Sequence, residues 1–200
     1  MGFLGKMVEK AVVKTVEYAA INSVVRHFEN TRSVDAIVNR STANYMLFIR
    51  KKCMSIKRGF TVLDELNNIK YVVKKDVLTF GYPCIRLYDT EKHEIGKVEL
   101  TSKIGMGTYA MYLDGKELGT LSRKISIKIK LDLNFNGWHL DGSYIQNSFT
   151  IFDENGNRVI KFNKAFTPRD TYVLEMNNRE HEILGLLLLM AVEIALHKSG

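Results

Sequence analysis

The stretch that decides the fold is ILGLLLLMAV at residues 183–192, which is followed by Glu193 and by IAL at residues 194–196. At about 3.6 residues per turn, this uninterrupted run covers every side of a helix instead of forming one apolar stripe. The run is shorter than the roughly 20 residues that a helix needs to cross a bilayer, and Glu193 interrupts its continuation. We therefore predict a helix over residues 178–198 that is buried on every side within the protein.

The residues around this stretch suit the two ends of a helix. Asn177 or Asn178 can cap the start, Glu182 suits the positive N-terminal end, and His197 suits the negative C-terminal end. A sheet that hides a helix with no polar side must nearly encircle it, and encirclement also removes exposed strand edges. The sequence thus predicts a closed β-barrel with this helix through its centre.

Residues 45–176 change to the two-residue period that is typical of strands. The clearest run alternates apolar and polar residues from Ile125 to Phe135 and predicts one long strand. Four dipeptides favour tight hairpin turns and indicate an antiparallel meander: Asp114-Gly115, Asn136-Gly137, Asp141-Gly142 and Asn155-Gly156. Four aspartates that end apolar runs are interpreted as turn-forming residues and not as ligands: Asp64, Asp89, Asp114 and Asp153.

The first 44 residues differ from the rest of the chain. Apolar residues recur at three- and four-residue steps over residues 2–30, with Lys6, Lys10 and Lys14 between them, which predicts an amphipathic helix followed by a linker. Such a helix can pack on the domain, pair with another chain, or lie on a membrane surface. We predict an N-terminal helix and linker over residues 1–44 and a barrel over residues 45–200.

The composition is that of a globular protein with a basic surface. Hydrophobic residues make up 46% and charged residues 26%, which excludes global disorder and a membrane-dominated composition. The formal net charge of +7 admits anionic partners, either lipid or nucleic acid. We find no secretory signal, and Cys53 and Cys84 form neither a zinc nor a redox motif. We therefore expect a cytoplasmic protein that can associate peripherally with a membrane.

No catalytic or metal-binding motif is visible in the sequence. The five histidines lie in separate segments, outside nucleophile, zinc and phosphate-loop motifs. Residues 153–157 resemble the opening of a calcium loop, but Arg158 stands where an EF-hand has glycine and Lys164 where it has glutamate. We predict a non-enzymatic protein that uses no cofactor and no metal.

Basic residues are the remaining candidates for a binding site. If the long strand turns its apolar side inward, Lys124, Lys128 and Lys130 lie on its outer side and form a cationic strip about 20 Å long. A second cluster surrounds a predicted hairpin and consists of Arg50, Lys51, Lys52, Lys57 and Arg58. Both sets suit the phosphates of anionic lipids, and both also fit ordinary solvated strand faces. No RNA-recognition, helix-turn-helix or zinc-finger pattern supports nucleic acid.

Several motifs occur in a characteristic order along the chain. They are the hairpins with turn aspartates, NGWHLDGSY at residues 136–144, FTIFD at residues 149–153, TYVLEM at residues 171–176 and the leucine-rich terminal helix. In this order they resemble the LURP-one-related proteins, which share the tubby C-terminal-like fold also seen in phospholipid scramblases. The resemblance covers residues 45–197 and implies a barrel of about twelve strands around a central C-terminal helix. Tubby relatives bind phosphoinositides and scramblase relatives are linked to membranes, but no phosphoinositide-binding motif can be matched to positions here.

Two functional hypotheses follow from these observations. The first is a non-enzymatic, tubby-like domain that binds anionic lipid head groups of the phosphoinositide kind, or a membrane surface. The second is a protein-interaction or structural module in which the N-terminal helix docks a partner protein or a second copy. Nucleic-acid binding and an unrecognised enzyme are weaker alternatives.

Overall fold

The computed structural model describes residues 45–51, 59–76, 82–104, 107–124, 130–143, 148–164 and 171–197. The chain divides into two units, Met1–Ser41 and Thr42–Gly200, and every described residue belongs to the second unit. The predicted N-terminal helix and the candidates Lys52, Lys57, Arg58 and Lys128 lie outside the described residues.

The described residues form strands followed by a single α-helix. The strands are β1 (Tyr45–Lys51), β2 (Phe60–Leu63), β3 (Ile69–Asp76), β4 (Cys84–Tyr88), β5 (Glu94–Ser102), β6 (Thr108–Leu113), β7 (Lys116–Lys124), β8 (Lys130–Asn134), β9 (His139–Ser143), β10 (Ser148–Phe152), β11 (Arg158–Lys164) and β12 (Thr171–Met176). A short 3-10 helix (Arg179–His181) then leads into the α-helix, α1 (Glu182–His197).

The strands form one antiparallel 12-stranded sheet that is nearly closed. Its order is β8-β7-β6-β5-β4-β3-β2-β1-β12-β11-β10-β9, so consecutive strands pair with each other except β8 and β9, and β1 pairs with β12. The predicted full closure is wrong, because β8 and β9 lie side by side without a ladder between them in the described residues. Burial of a helix requires a wall of inward side chains, which a sheet with one open seam still supplies.

Helix α1 is buried on all sides, as its sequence predicts. Leu186, Leu187, Leu188, Met190 and Ala191 are all 0% exposed. Each fully buried leucine contributes roughly 1.5–3 kcal/mol relative to an exposed one, so this helix contributes substantially to the core. The predicted cap is Asn178, whose side chain accepts a hydrogen bond from the backbone N–H of Glu180 at the start of the 3-10 helix.

Most of the predicted turns are present. The dipeptides Asp114-Gly115, Asn136-Gly137 and Asn155-Gly156 lie in connections between strands, and the glycine of each has a positive φ. The turn predicted at Asp141-Gly142 is wrong, because both residues lie within β9. A side chain at Gly142 would place its Cβ 2.5 Å from the Phe149 Cα atom, so glycine permits the close approach of β10.

The long strand predicted over residues 125–135 is also wrong. Strand β7 ends at Lys124, and β8 begins at Lys130 and runs antiparallel to β7, so the chain reverses direction between these two residues. The predicted alternation holds within β8 itself, where Leu131 is buried and Lys130, Asp132 and Asn134 are exposed. A two-residue period cannot distinguish one long strand from two strands of a hairpin when the connection continues the pattern.

Candidate functional site

The meander places its connections alternately at two ends of the barrel. Helix α1 begins at the first of these ends. The connections at this end are residues 64–68, 89–93, 114–115, 135–138, 153–157 and 177–181. Eight carboxylates and two cations occupy these connections: Asp64, Glu65, Asp89, Glu91, Asp114, Asp153, Glu154, Glu180, Lys92 and Arg179. We call this the acidic end.

Several aspartates at the acidic end stabilise its turns through hydrogen bonds from backbone N–H groups to their carboxylates. Asp64 Oδ1 accepts a hydrogen bond from the Asn68 backbone N–H at 2.8 Å, and Asp89 Oδ1 accepts one from the His93 N–H at 2.8 Å. Asp153 Oδ1 accepts from the backbone N–H groups of Asn155 and Asn157 at 2.9 and 2.8 Å. These bonds confirm the interpretation of the aspartates as turn-forming residues.

The opposite end, at which α1 ends, carries the connections at residues 52–59, 77–83, 103–107, 125–129, 144–147 and 165–170. Much of this sequence lies outside the described residues, but the strands on either side fix the end to which each connection belongs. In sequence these connections contain six cations and one carboxylate: Lys52, Lys57, Arg58, Lys103, Lys128, Arg169 and Asp170. We call this the basic end.

Apolar side chains are exposed beside a lysine at the basic end. Ile104 is 89% exposed and Tyr82 is 47% exposed, although large hydrophobic residues are mostly buried in this barrel. The Nζ atom of Lys103 lies 4.5 Å from the centroid of the Tyr82 ring, which is within the range of a cation–π contact. Sequence reasoning missed these three residues, because only the fold brings the 77–83 and 103–107 connections to the same end.

Two of the predicted lysines lie directly opposite each other. Lys124 and Lys130 are paired across the β7–β8 ladder at the basic end, and both are exposed. Asp132 forms an ion pair with Lys124, with 2.9 Å between Nζ and Oδ2. Like charges opposite each other in a sheet are unfavourable, so an anion that approached this pair would relieve their repulsion. In the structure, Lys124 and Lys130 therefore form a cross-strand pair beside the Asp132 carboxylate, and not a strip along one strand.

The second predicted cluster is only partly described. Arg50 donates from Nη2 to the Asn67 Oδ1 atom at 2.6 Å, so its guanidinium is held by the 64–68 connection of the acidic end. Lys51 is the last residue of β1 and lies at the basic end. Lys52, Lys57 and Arg58 follow it in sequence within the 52–59 connection. The fold thus brings Lys51 and that connection to the same end as Lys124 and Lys130, and directs Arg50 away.

Two cations on the wall of the barrel, Arg86 and Lys97, are paired with acids. Arg86 lies 2.8 Å from Asp76 and 2.8 Å from Glu94, and Lys97 lies 2.8 Å from Glu99. Each of these ion pairs bridges positions on the outer surface of the sheet, where it leaves little net charge. These pairs neutralise part of the charge of the wall, on which further cations such as Lys74 and Lys161 also lie.

A buried ionic cluster holds α1 at the acidic end. The carboxylate of Glu182, whose side chain is 6% exposed, lies 2.6 Å through Oε1 and 2.7 Å through Oε2 from the Nζ atom of Lys70. The contact with Oε1 is a close ion pair without hydrogen-bond alignment. Lys70 also donates to the Tyr45 hydroxyl at 2.6 Å. Burial and hydrogen bonds to Glu182 raise the pKa values of Tyr45 and Tyr71 above the ordinary tyrosine range.

A pocket of about 520 Å³ opens at the acidic end, next to the seam between β8 and β9. Three segments border it, namely the 135–138 and 153–157 connections and the 3-10 helix. Its lining residues are Asn136, Trp138, Asp153, Glu154, Asn155, Val159 and His181. Sequence analysis did not connect these residues, because they are separated by up to 45 positions between Asn136 and His181.

Comparison with known proteins agrees with the architecture. The family model described as LURP-one-related matches residues 45–193. The chain belongs to the LURP-one-related family. Among solved structures, this LURP-one-related domain is similar to the X-ray structure of a protein from Arabidopsis thaliana, with 15% identity and a TM-score of 0.53. The match covers 76% of this chain and 93% of that one, and at this identity it shows the fold alone.

Two further findings concern the LURP-one-related chain. A search of curated proteins found no match. Among the residues that the structure describes, no helix is long and apolar enough to span a membrane.

Proposed function

We propose that this domain binds the surface of an anionic membrane through the basic end of the barrel, with phosphoinositide-like head groups as its ligands. The observation that supports the proposal most is the unequal charge of the two ends, together with the exposed lysine pair Lys124 and Lys130. The proposed role is binding without catalysis, in a cytoplasmic protein that associates peripherally with the membrane.

Both kinds of side chain that a membrane surface requires are found at the basic end. A lysine near an anionic leaflet contributes about 1 kcal/mol, and its effect decays within a Debye length. Ile104 and Tyr82 supply exposed apolar surface beside Lys103. Burying an isoleucine side chain contributes at most roughly 1.5–3 kcal/mol. Charge would therefore draw this end to the surface, and Ile104 would anchor it there.

A second candidate function rests on the N-terminal residues. The amphipathic pattern over residues 2–30 lies outside the residues 45–193 that the family model matches. An apolar stripe of this kind suits a partner protein or a second copy of the chain. Self-association that persists at high salt and is lost with residues 1–40 would favour this function over membrane binding.

Co-sedimentation with vesicles tests the proposal. We expect the protein to sediment with phosphatidylcholine vesicles that contain a phosphoinositide at low salt, to be released as salt rises, and to ignore pure phosphatidylcholine. Combining Lys124→Glu, Lys128→Glu and Lys130→Glu should weaken binding by about two orders of magnitude without unfolding the barrel. If the wild-type protein ignores the anionic vesicles at low salt, the proposal is wrong. If the triple variant still binds, Lys51, Lys52, Lys57 and Arg58 become the next candidates.

A further inference from the structure

The pocket at the acidic end combines aromatic and acidic side chains. The Trp138 ring packs edge-on against Phe135, with ring centroids 5.2 Å apart, and against His181, also 5.2 Å apart. Two nearly perpendicular neighbours fix the position of the indole within the wall. A fixed aromatic ring is a preformed surface for an organic cation, because the face of its π-system carries partial negative charge.

Two carboxylates line the pocket, and one of them is fixed by hydrogen bonds within its own turn. Asp153 is held by hydrogen bonds from Asn157 and Asn155, and these bonds lower its pKa, with the Asn157 side chain as the largest cause. Glu154 lies beside the 135–138 connection, which contains Trp138. A Cβ atom placed on Gly137 in that connection would be 3.6 Å from the Glu154 Oε2 atom. Among the described residues, no lysine or arginine forms an ion pair with either carboxylate.

The surroundings strengthen the preference of the pocket for positive charge. Of the two cations in the connections of this end, Arg179 is directed toward Glu182, with 3.8 Å between Nε and Oε2, and Lys92 lies in the 89–93 connection. The acidic connections therefore attract cations and repel phosphates, and the pocket lies among them. The Nδ1 atom of His181 is buried without a hydrogen-bond partner in the described part of the chain.

We propose that this pocket binds a primary ammonium group, carried either by a small amine or by a lysine side chain of a peptide. The ammonium group would lie against the Trp138 ring, with its charge balanced by Glu154 and Asp153. Asn136 and Asn155 line the same space, and their amide oxygens can accept the ammonium N–H bonds. A volume of about 520 Å³ admits an alkyl chain with its charged group. This site is separate from the proposed membrane-binding end, and neither proposal requires the other.

Trp138 makes the test direct, because the sequence contains 1 tryptophan. The fluorescence of the full chain is titrated with n-butylammonium, with a short peptide that contains one lysine, and with the neutral and anionic probes n-butanol and butyrate. We expect a saturable change with the ammonium probes, with a dissociation constant of about 10 mM or lower. We expect no saturable change with butanol or butyrate. Tighter binding of the peptide than of butylammonium would assign the ligand to a lysine side chain, and the reverse order to a small amine.

Two variants distinguish binding within the pocket from attraction by the overall negative potential of the acidic end. Glu154→Gln should weaken butylammonium binding about threefold to fivefold, the effect of one partly exposed charge pair. Glu91→Gln removes the same charge from another connection of the acidic end, outside the pocket, and should change binding by less than about twofold. Equal responses to butylammonium and butanol, equal losses in the two variants, or no saturable response to ammonium would each overturn the proposal. Thermal unfolding of both variants checks that the fold is unchanged.

Discussion

The charged residues at the two ends of the barrel are mostly of opposite sign, and they have different structural roles. At the acidic end, Asp64, Asp89 and Asp153 are bound within their own turns, and Glu182 is bound to Lys70 beneath them. At the basic end, Lys124 and Lys130 are paired across the β7–β8 ladder and exposed to solvent, and Lys124 forms an ion pair with Asp132. Charges that build turns explain the fold of the acidic end, whereas the exposed lysine pair has no such structural role in the described residues. The difference suggests a binding function at the basic end.

The largest effect is expected from the helix that both ends share. Leu188→Asp places a charge at a position that is 0% exposed, where no partner can balance it, and should remove several kcal/mol of unfolding free energy or abolish folding. Leu66→Asp is the matched control at the acidic end, because Leu66 is 82% exposed, and it should change stability by less than about 0.5 kcal/mol. Chemical denaturation measures both. A soluble Leu188→Asp variant with wild-type stability would contradict the central position of α1.

The buried ion pair at the acidic end should give the next largest effect. Lys70→Met removes the nearer of the two cations beside the buried Glu182 carboxylate, leaving Arg179 3.8 Å away, and should cost up to about 3–5 kcal/mol. The control is Lys97→Met, which breaks a pair with Glu99 in which both side chains are roughly 30% exposed, and should cost at most about 1 kcal/mol. Adding Glu182→Leu to Lys70→Met should recover part of the loss. Equal costs for the two lysine substitutions would show that the cluster does not anchor the helix.

The same cluster should make the barrel sensitive to alkali. The pKa values of Tyr45 and Tyr71 are raised by burial and by Glu182, so these hydroxyls stay protonated in the folded state at a pH where the unfolded chain has lost the protons. The contribution of these tyrosines to stability should therefore be constant below about pH 10 and fall above it, by up to about 1.4 kcal/mol per pH unit for each tyrosine. Denaturation at several pH values measures the slope, and Tyr71→Phe should reduce it. An unchanged slope in that variant would exclude Tyr71 as a cause.

The smallest effect on stability is expected from the N-terminal residues. The family model begins at residue 45, and the described strands and α1 all follow that position. Deleting residues 1–40 should leave a soluble, cooperatively unfolding domain whose melting temperature is close to that of the full chain. An insoluble or unfolded product would place these residues in the core domain.

The fold was largely predictable from the sequence, for a reason that α1 makes clear. In a chain whose other segments have the period of strands, a helix with no polar side is buried by a sheet that nearly encircles it, so residues 183–192 and the strand periodicity together predicted the architecture. Predictions from local sequence patterns were wrong where the structure depends on a neighbouring strand. Gly142 lies within a strand because β10 approaches it closely, and the alternation after Lys124 runs through a reversal of the chain.

The candidate site was predictable only in part. Lys124 and Lys130 were identified from their alternation with apolar residues, which fixes the face of the sheet but not their partners across it. Lys103, Ile104 and Tyr82 were missed, as were Trp138 and His181, because they come together only when connections distant in sequence reach the same end of the barrel. The hydrogen bond that directs Arg50 to Asn67 likewise depends on tertiary structure.

The measurement that tests the central claim most directly compares charge reversal at the two ends of the barrel. One variant combines Lys124→Glu with Lys130→Glu at the basic end, and the other combines Lys92→Glu with Lys116→Glu at the acidic end, so that net charge changes equally and Lys116 shares strand β7 with Lys124. Co-sedimentation with phosphoinositide-containing vesicles at low salt should weaken about 30-fold or more in the first variant. It should weaken by no more than about threefold in the second. Equal losses would mean that net charge alone drives binding, and an unaffected first variant would show that the basic end is not the membrane-binding surface.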